Sequence, residues 1–100
     1  MKFIKVLMVK EGKCTITEIE DKIDVLQQIV GGYIEVLSID NEFLVVMDDE
    51  GKLKNKPCYA LICGEPIAGD FFICARDGED FADITKGTLD LAEKYMFLRR

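Results

Sequence analysis

The chain reads as an α+β domain: a mainly antiparallel sheet of about five strands with two helices, in the order β-β-α-β-β-(β)-β-α. Three observations predict this. Near the N-terminus, two runs of strand length, Phe3–Lys10 and residues 14–19, flank a glycine-centred break. The period then changes from two to helical, and a glycine pair closes the helical stretch. Finally, residues 31–56 compress a helix stop, a strand, a tight turn, a second strand and a charged exit into one run.

Phe3–Lys10 is rich in β-branched and aromatic residues and meets Glu11-Gly12-Lys13, which suits a hairpin. In the returning strand Thr15, Thr17 and Ile19 alternate with Cys14, Ile16 and Glu18. Ile23, Leu26, Ile29 and Val30 then share a helical face, with Asp24, Gln27 and Gln28 turned elsewhere. Asp21 is the expected N-cap, and Asp24 favours the positive end of the helix dipole. Gly31-Gly32 ends the helix, because glycine takes the left-handed conformation without steric cost. Strands follow over residues 33–39 and 43–47, joined by Asp40-Asn41-Glu42, where Asn41 tolerates positive φ. Glu35 shares a face with Tyr33 and Leu37, so that face is expected to be only partly covered. The run from Phe43 to Met47 is apolar on both faces, as a central strand is.

Asp48-Asp49-Glu50-Gly51-Lys52 is a solvated turn, after which Lys52, Lys54 and Lys56 alternate ahead of Pro57 in an exposed extended segment or loop. Residues 59–63 read equally as a strand or a buried loop, broken by Gly64-Glu65-Pro66. Residues 71–75 form a core strand, and Asp77-Gly78-Glu79-Asp80 a turn. Thr85 caps a final helix with Leu91, Tyr95 and Leu98 as its apolar stripe. Gly87 weakens its first turn, and Arg99 and Arg100 suit its negative end.

Residues 1–100 are expected to form a single domain, since 49% hydrophobic and 32% charged residues describe an ordinary globular core. No run approaches the ~18 apolar residues of a membrane span. The first ten residues alternate at strand spacing and lack an export cleavage site, so a cytoplasmic location is expected. The net charge of −6 is uneven: residues 1–50 carry 11 acids and 5 bases, residues 51–100 carry 8 of each. An acidic domain disfavours direct nucleic-acid or anionic-membrane binding and leaves a basic partner open.

The chain has no histidine, and its carboxylates gather in turns, at Asp48-Asp49-Glu50 and at Asp77, Glu79, Asp80 and Asp83. General acid–base chemistry wants shielded groups with displaced pKa values, so no catalytic set is assigned and no enzyme is expected. The acidic loops lack the ligand spacing of an EF-hand, and the glycines form no phosphate-binding loop. Cys58 and Cys63 stand at the loose limit of zinc-pair spacing, without a second pair or a histidine to complete a site. Cys74 lies in an apolar run where a thiol acts as a small hydrophobe, and Cys14 is isolated. Neither metal nor cofactor is assigned. Cys58, close in sequence to Lys54 and Lys56, is the only candidate for a cysteine nucleophile, and buried packing is the expected role of its thiol.

Tyr33, Glu35, Lys52, Lys54, Lys56 and Tyr59 remain as binding candidates. The lysines would line one face of an extended segment, and tyrosine is enriched at interfaces. The expected function is therefore a non-catalytic binding module acting through a protein partner or small ligand, with homodimerisation through a sheet edge open to it. A cysteine-based metal site or enzyme is the class alternative, and it requires Cys58, Cys63 and a further cysteine to converge.

The apolar first strand, EIEDKIDVLQQIVGG at 18–32, YIEVL at 33–37, DEGKLKNKP at 49–57 and GEDFADIT at 78–85 together resemble a family of small domains of unknown function, catalogued as number 3846. The resemblance spans roughly residues 1–95. It implies the same layout and a setting in bacteria, their phages or mobile elements, and it brings no activity. Members often carry an Asn-Arg pair shortly after the proline, where this chain has Pro57-Cys58-Tyr59-Ala60. The mobile-element setting adds one further alternative: an acidic inhibitor that presents carboxylates as phosphate mimics to a host DNA-binding or defence protein.

Overall fold

In the computed structural model, which describes residues 1–98, β1 (Phe3–Lys10) and β2 (Lys13–Glu20) lead into α1 (Ile23–Val30). Next come β3 (Ile34–Ile39), β4 (Phe43–Asp48), β5 (Cys58–Ile62), β6 (Glu65–Ala68) and β7 (Phe71–Asp77). β8 (Asp80–Ala82), α2 (Lys86–Tyr95) and β9 (Met96–Leu98) complete the chain. Three hairpin turns use one device. Glu11-Gly12, Asp40-Asn41 and Cys63-Gly64 each place two successive residues at positive φ, which matches the natural twist of paired strands.

The main sheet runs β2-β1-β7-β4-β3, with β8 on the β1 side of β7, and every pairing is antiparallel. Composition decides the order. All six residues of β4 are buried, as are the first four of β7, so these strands take the interior. The mixed strands β2 and β3 form the edges.

Side chains alternate between two cores. On one face Ile4, Val6, Leu44, Val46, Phe72 and Cys74 pack under Leu26 of α1. On the other, Leu7, Val9, Phe43, Val45, Phe71 and Ile73 meet Ala92 of α2 and a second sheet, β6-β5-β9. The result is three layers, with the main sheet in the middle.

The α+β class and the antiparallel sheet are as the sequence predicts, with 51% strand and 18% helix. The strand count exceeds expectation, six in the main sheet and three in the second. Residues 58–69, readable as strand or loop, are the β5–β6 hairpin. Asp21 is not the cap of α1. Lys22 occupies that position without a side-chain bond, while Asp21 faces Lys2 at 3.5 Å and its N–H donates to Lys2 O. Thr85 does cap α2, accepting from Thr88 N–H at 3.1 Å. Helix α2 stops at Tyr95, however, so Leu98 is not on its stripe. Met96, Phe97 and Leu98 instead pair with Ile62, Leu61 and Ala60, giving β5 a second neighbour. Arg99 and Arg100 lie outside the described residues.

Candidate functional site

Two features draw on the candidate residues, and the first is internal. Asp48 ends β4 on the face of Leu44 and Val46, so strand alternation turns its carboxylate inward, beneath the C-terminal end of α1. The side chain is wholly buried. Lys54 Nζ donates to its Oδ2 at 3.0 Å, Lys56 Nζ bonds the same oxygen, and Glu50 N–H donates to Oδ1 at 2.9 Å. Each lysine also reaches the helix end: Lys54 Nζ donates to Gly31 O at 3.1 Å and Lys56 Nζ to Val30 O at 2.7 Å. Cations thereby meet orphan carbonyls at the negative pole of the helix, with a buried anion between them. Burial raises the Asp48 carboxyl, but the bonds from Lys56, the Glu50 amide and Lys54, with the Lys56 charge, outweigh it and hold the pKa below its ordinary value.

The backbone delivers these groups through two left-handed closures. Gly31 (φ 81°) ends α1, with Gly31 and Gly32 N–H both donating to Gln27 O. Asn55 (φ 57°) ends the turn after β4. Lys56 N–H donates there to Gly51 O and Asn55 N–H to Lys52 O, the bonding pattern of a Schellman cap. Gly32 is needed for space: a Cβ there would lie 2.6 Å from both Asp48 Oδ1 and Lys54 Nζ.

The expectation that the three lysines line one face therefore fails. The segment is a series of turns rather than an extended strand, so period-two alternation does not apply to it. Lys54 and Lys56 turn inward to Asp48, whereas Lys52 Nζ bonds Glu65 Oε1 at 2.6 Å. The Glu65 bond raises the Lys52 pKa. Tyr59 is half-buried over the β1–β2 turn, its Cδ1 3.5 Å from where a Gly12 Cβ would stand. Tyr33 is 69% exposed beside the α1 end.

The second feature is a cleft of about 510 Å³ between edge strand β3 and the β5–β6 hairpin. Leu37, Ile39, Met47, Ile62 and Ile67 form its apolar floor, and Glu35, Asp49, Lys52 and Glu65 its rim. Glu35 and Lys52 are two candidate residues that share this cavity, while Lys56 and Tyr59 line a smaller one of about 320 Å³. Glu35 and Asp49 have no ion-pair partner among the described residues, while Lys52 is held by Glu65. Leu53, 81% exposed, overhangs the opening. Among the described residues, a larger groove by α2 and β9 is lined by one charged side chain, Glu93.

Sequence reasoning missed Asp48 and the hairpin's share of the floor. The signal for Asp48 was present: an acid closes an all-apolar strand on the same face as Leu44 and Val46, with lysines close behind. Nothing local could pair Ile62 and Ile67 with Leu37, because that contact joins separate sheets.

Other polar groups serve the fold. Asp70 Oδ1 accepts from Glu11 N–H and Asp83 Oδ1 from Lys5 N–H, both at 2.8 Å. Cys58 and Cys63 stand at opposite ends of β5, roughly 16 Å apart along the strand. Among the described residues no three Cys, Asp or Glu side chains gather as a metal site requires. No helix among them is long and apolar enough to cross a membrane.

Fold and cleft define a small α+β domain, three layers deep, that carries an acid-rimmed apolar cleft at one sheet edge. The chain belongs to the family described as Domain of unknown function (DUF3846), whose model matches residues 4–96. No curated protein and no solved structure matches it significantly.

Proposed function

We propose that this protein is a non-catalytic binding module whose site is the cleft between β3 and the β5–β6 hairpin. The observation that carries this reading is the cleft's make-up: an apolar floor from four strands, β3 to β6, and a rim on which Glu35 and Asp49 have no ion-pair partner among the described residues. Such a site favours a ligand with an apolar body and positive charge. Two buried groups with displaced titration support a non-catalytic role. Asp48 is engaged by two lysines, and Cys74 sits in the core with its pKa pushed up to about 12 by burial.

The acidic-inhibitor alternative gains no observation in its favour. The acids of residues 1–50 are spread over β2, α1, β3 and several turns, and Asp48 is internal.

Display selection of random octapeptides, with counter-selection on a Leu37→Asp variant, tests the proposal. Enrichment of peptides combining apolar residues with lysine or arginine, lost on the variant, is expected. Enrichment of acidic peptides, or retention equal on both proteins, would contradict it.

A further inference from the structure

The outer edge of β3 is an open hydrogen-bonding surface. Asp49 N–H donates to Tyr33 O at 2.9 Å, and the β3–β4 register sets Ile34 opposite Asp48 and Glu35 opposite Met47. Antiparallel pairing alternates, so Glu35, Leu37 and Ile39 spend their backbone groups on β4. Ile34, Val36 and Ser38 turn theirs outward, and no described strand pairs with them.

The other edges are defended in the usual ways. β2 carries Lys13, Glu18 and Glu20, β6 contains Pro66, and β9 has three residues. β3 has neither proline nor lysine, and Glu35 is its one charge. It also borders the cleft. A strand laid along it would hold alternate side chains over the floor, beside Leu37 and the Glu35 carboxylate, which has no ion-pair partner among the described residues. Its remaining side chains would lie along Val36, which is 43% exposed.

We infer that the occupant of this site is an extended segment of a protein partner, bearing an apolar and a basic residue two positions apart, which adds to β3 as a new edge strand. This rests on the cleft being the binding site and names what enters it. Main-chain bonds to Ile34, Val36 and Ser38 supply attachment, while Leu37 and Glu35 select for an apolar and a basic side chain. Charge complementarity decides against a second copy of this chain, whose β3 brings another Glu35 and no cation.

Amide hydrogen exchange of the whole protein tests the inference, with and without an octapeptide that repeats valine-threonine-lysine-threonine (the valine–lysine peptide; aspartate in place of lysine gives the valine–aspartate peptide). Slowing of Ile34, Val36 and Ser38 exchange by at least tenfold at saturating peptide is expected. Val36→Pro removes one outward donor without touching the β3–β4 ladder, and its binding should fall at least tenfold. Glu35→Lys keeps every backbone donor and should transfer the preference to the valine–aspartate peptide, which guards against misfolding of the proline variant. Peptide-induced shifts of Leu37 and Met47 methyls without amide protection would overturn strand addition and leave the cleft reading standing. Absence of both at millimolar peptide would overturn both. Protection that grows with protein concentration alone would assign the edge to a second copy and overturn the inference.

Discussion

Asp48 is the residue on which most local structure converges. Removing its charge leaves two ammonium groups facing helix carbonyls with no anion between them. Both lysines keep some water, 41% and 24% side-chain exposure, so the cost falls below that of a fully buried pair. Asp48→Asn should destabilise the protein by about 2–3 kcal/mol, read from urea midpoints. The folded carboxyl titrates below its ordinary 3.8, so its stabilisation is complete above that value and is lost as pH falls through the lowered folded pKa. The wild type should lose stability on acidification below about pH 4, and the Asn variant should lose less over that range. Gly32→Ala should also destabilise, by about 1–3 kcal/mol, since its Cβ has no room beside the Asp48–Lys54 pair. Thiol chemistry offers an independent check. Cys74 should resist alkylation in the native protein until urea unfolds it, while the exposed Cys63 reacts at once and Cys14, its pKa raised by desolvation, more slowly.

At the scale of elements, the sequence was legible wherever a local rule governs. The Gly31-Gly32 stop, the Asn41 turn, the Thr85 cap and the apolar β4 and β7 all follow from propensity or period. What escaped depends on distant partners. Met96-Phe97-Leu98 continues the helical stripe in sequence, yet the unpaired edge of β5 captures it as a strand. The lysines of residues 52–56 look solvated until α1 supplies carbonyls and β4 supplies Asp48. The cleft was half legible. Glu35 and Lys52 were identifiable, but its floor needs the β5–β6 hairpin folded across from β3. If β9 is held by that pairing, Phe97→Pro, which removes the ladder donor opposite Leu61, should lower the melting temperature by several degrees. Gly64→Ala should strain one left-handed turn position at a cost of about 1 kcal/mol, with open space around the new methyl.

The whole molecule places a rigid central sheet between two cores and leaves an edge, β3, that no further described strand pairs and that lies beside an apolar cleft. Net charge reinforces that asymmetry, since the acidic excess lies wholly in residues 1–50, which supply Glu35 and Asp49. Binding at the cleft should therefore weaken with salt, as an encounter steered by exposed carboxylates does. The most direct measurement is a methyl-resolved NMR titration of the protein with the valine–lysine octapeptide. Shifts confined to Leu37, Ile39, Met47, Ile62 and Ile67, fading as salt rises, are the predicted result. Shifts centred instead on Leu89, Met96 and Leu98 in the groove beside α2, or on Met8 and Ile29, which line a separate hollow with Thr15 and Thr17 of β2, would contradict the assignment of the site.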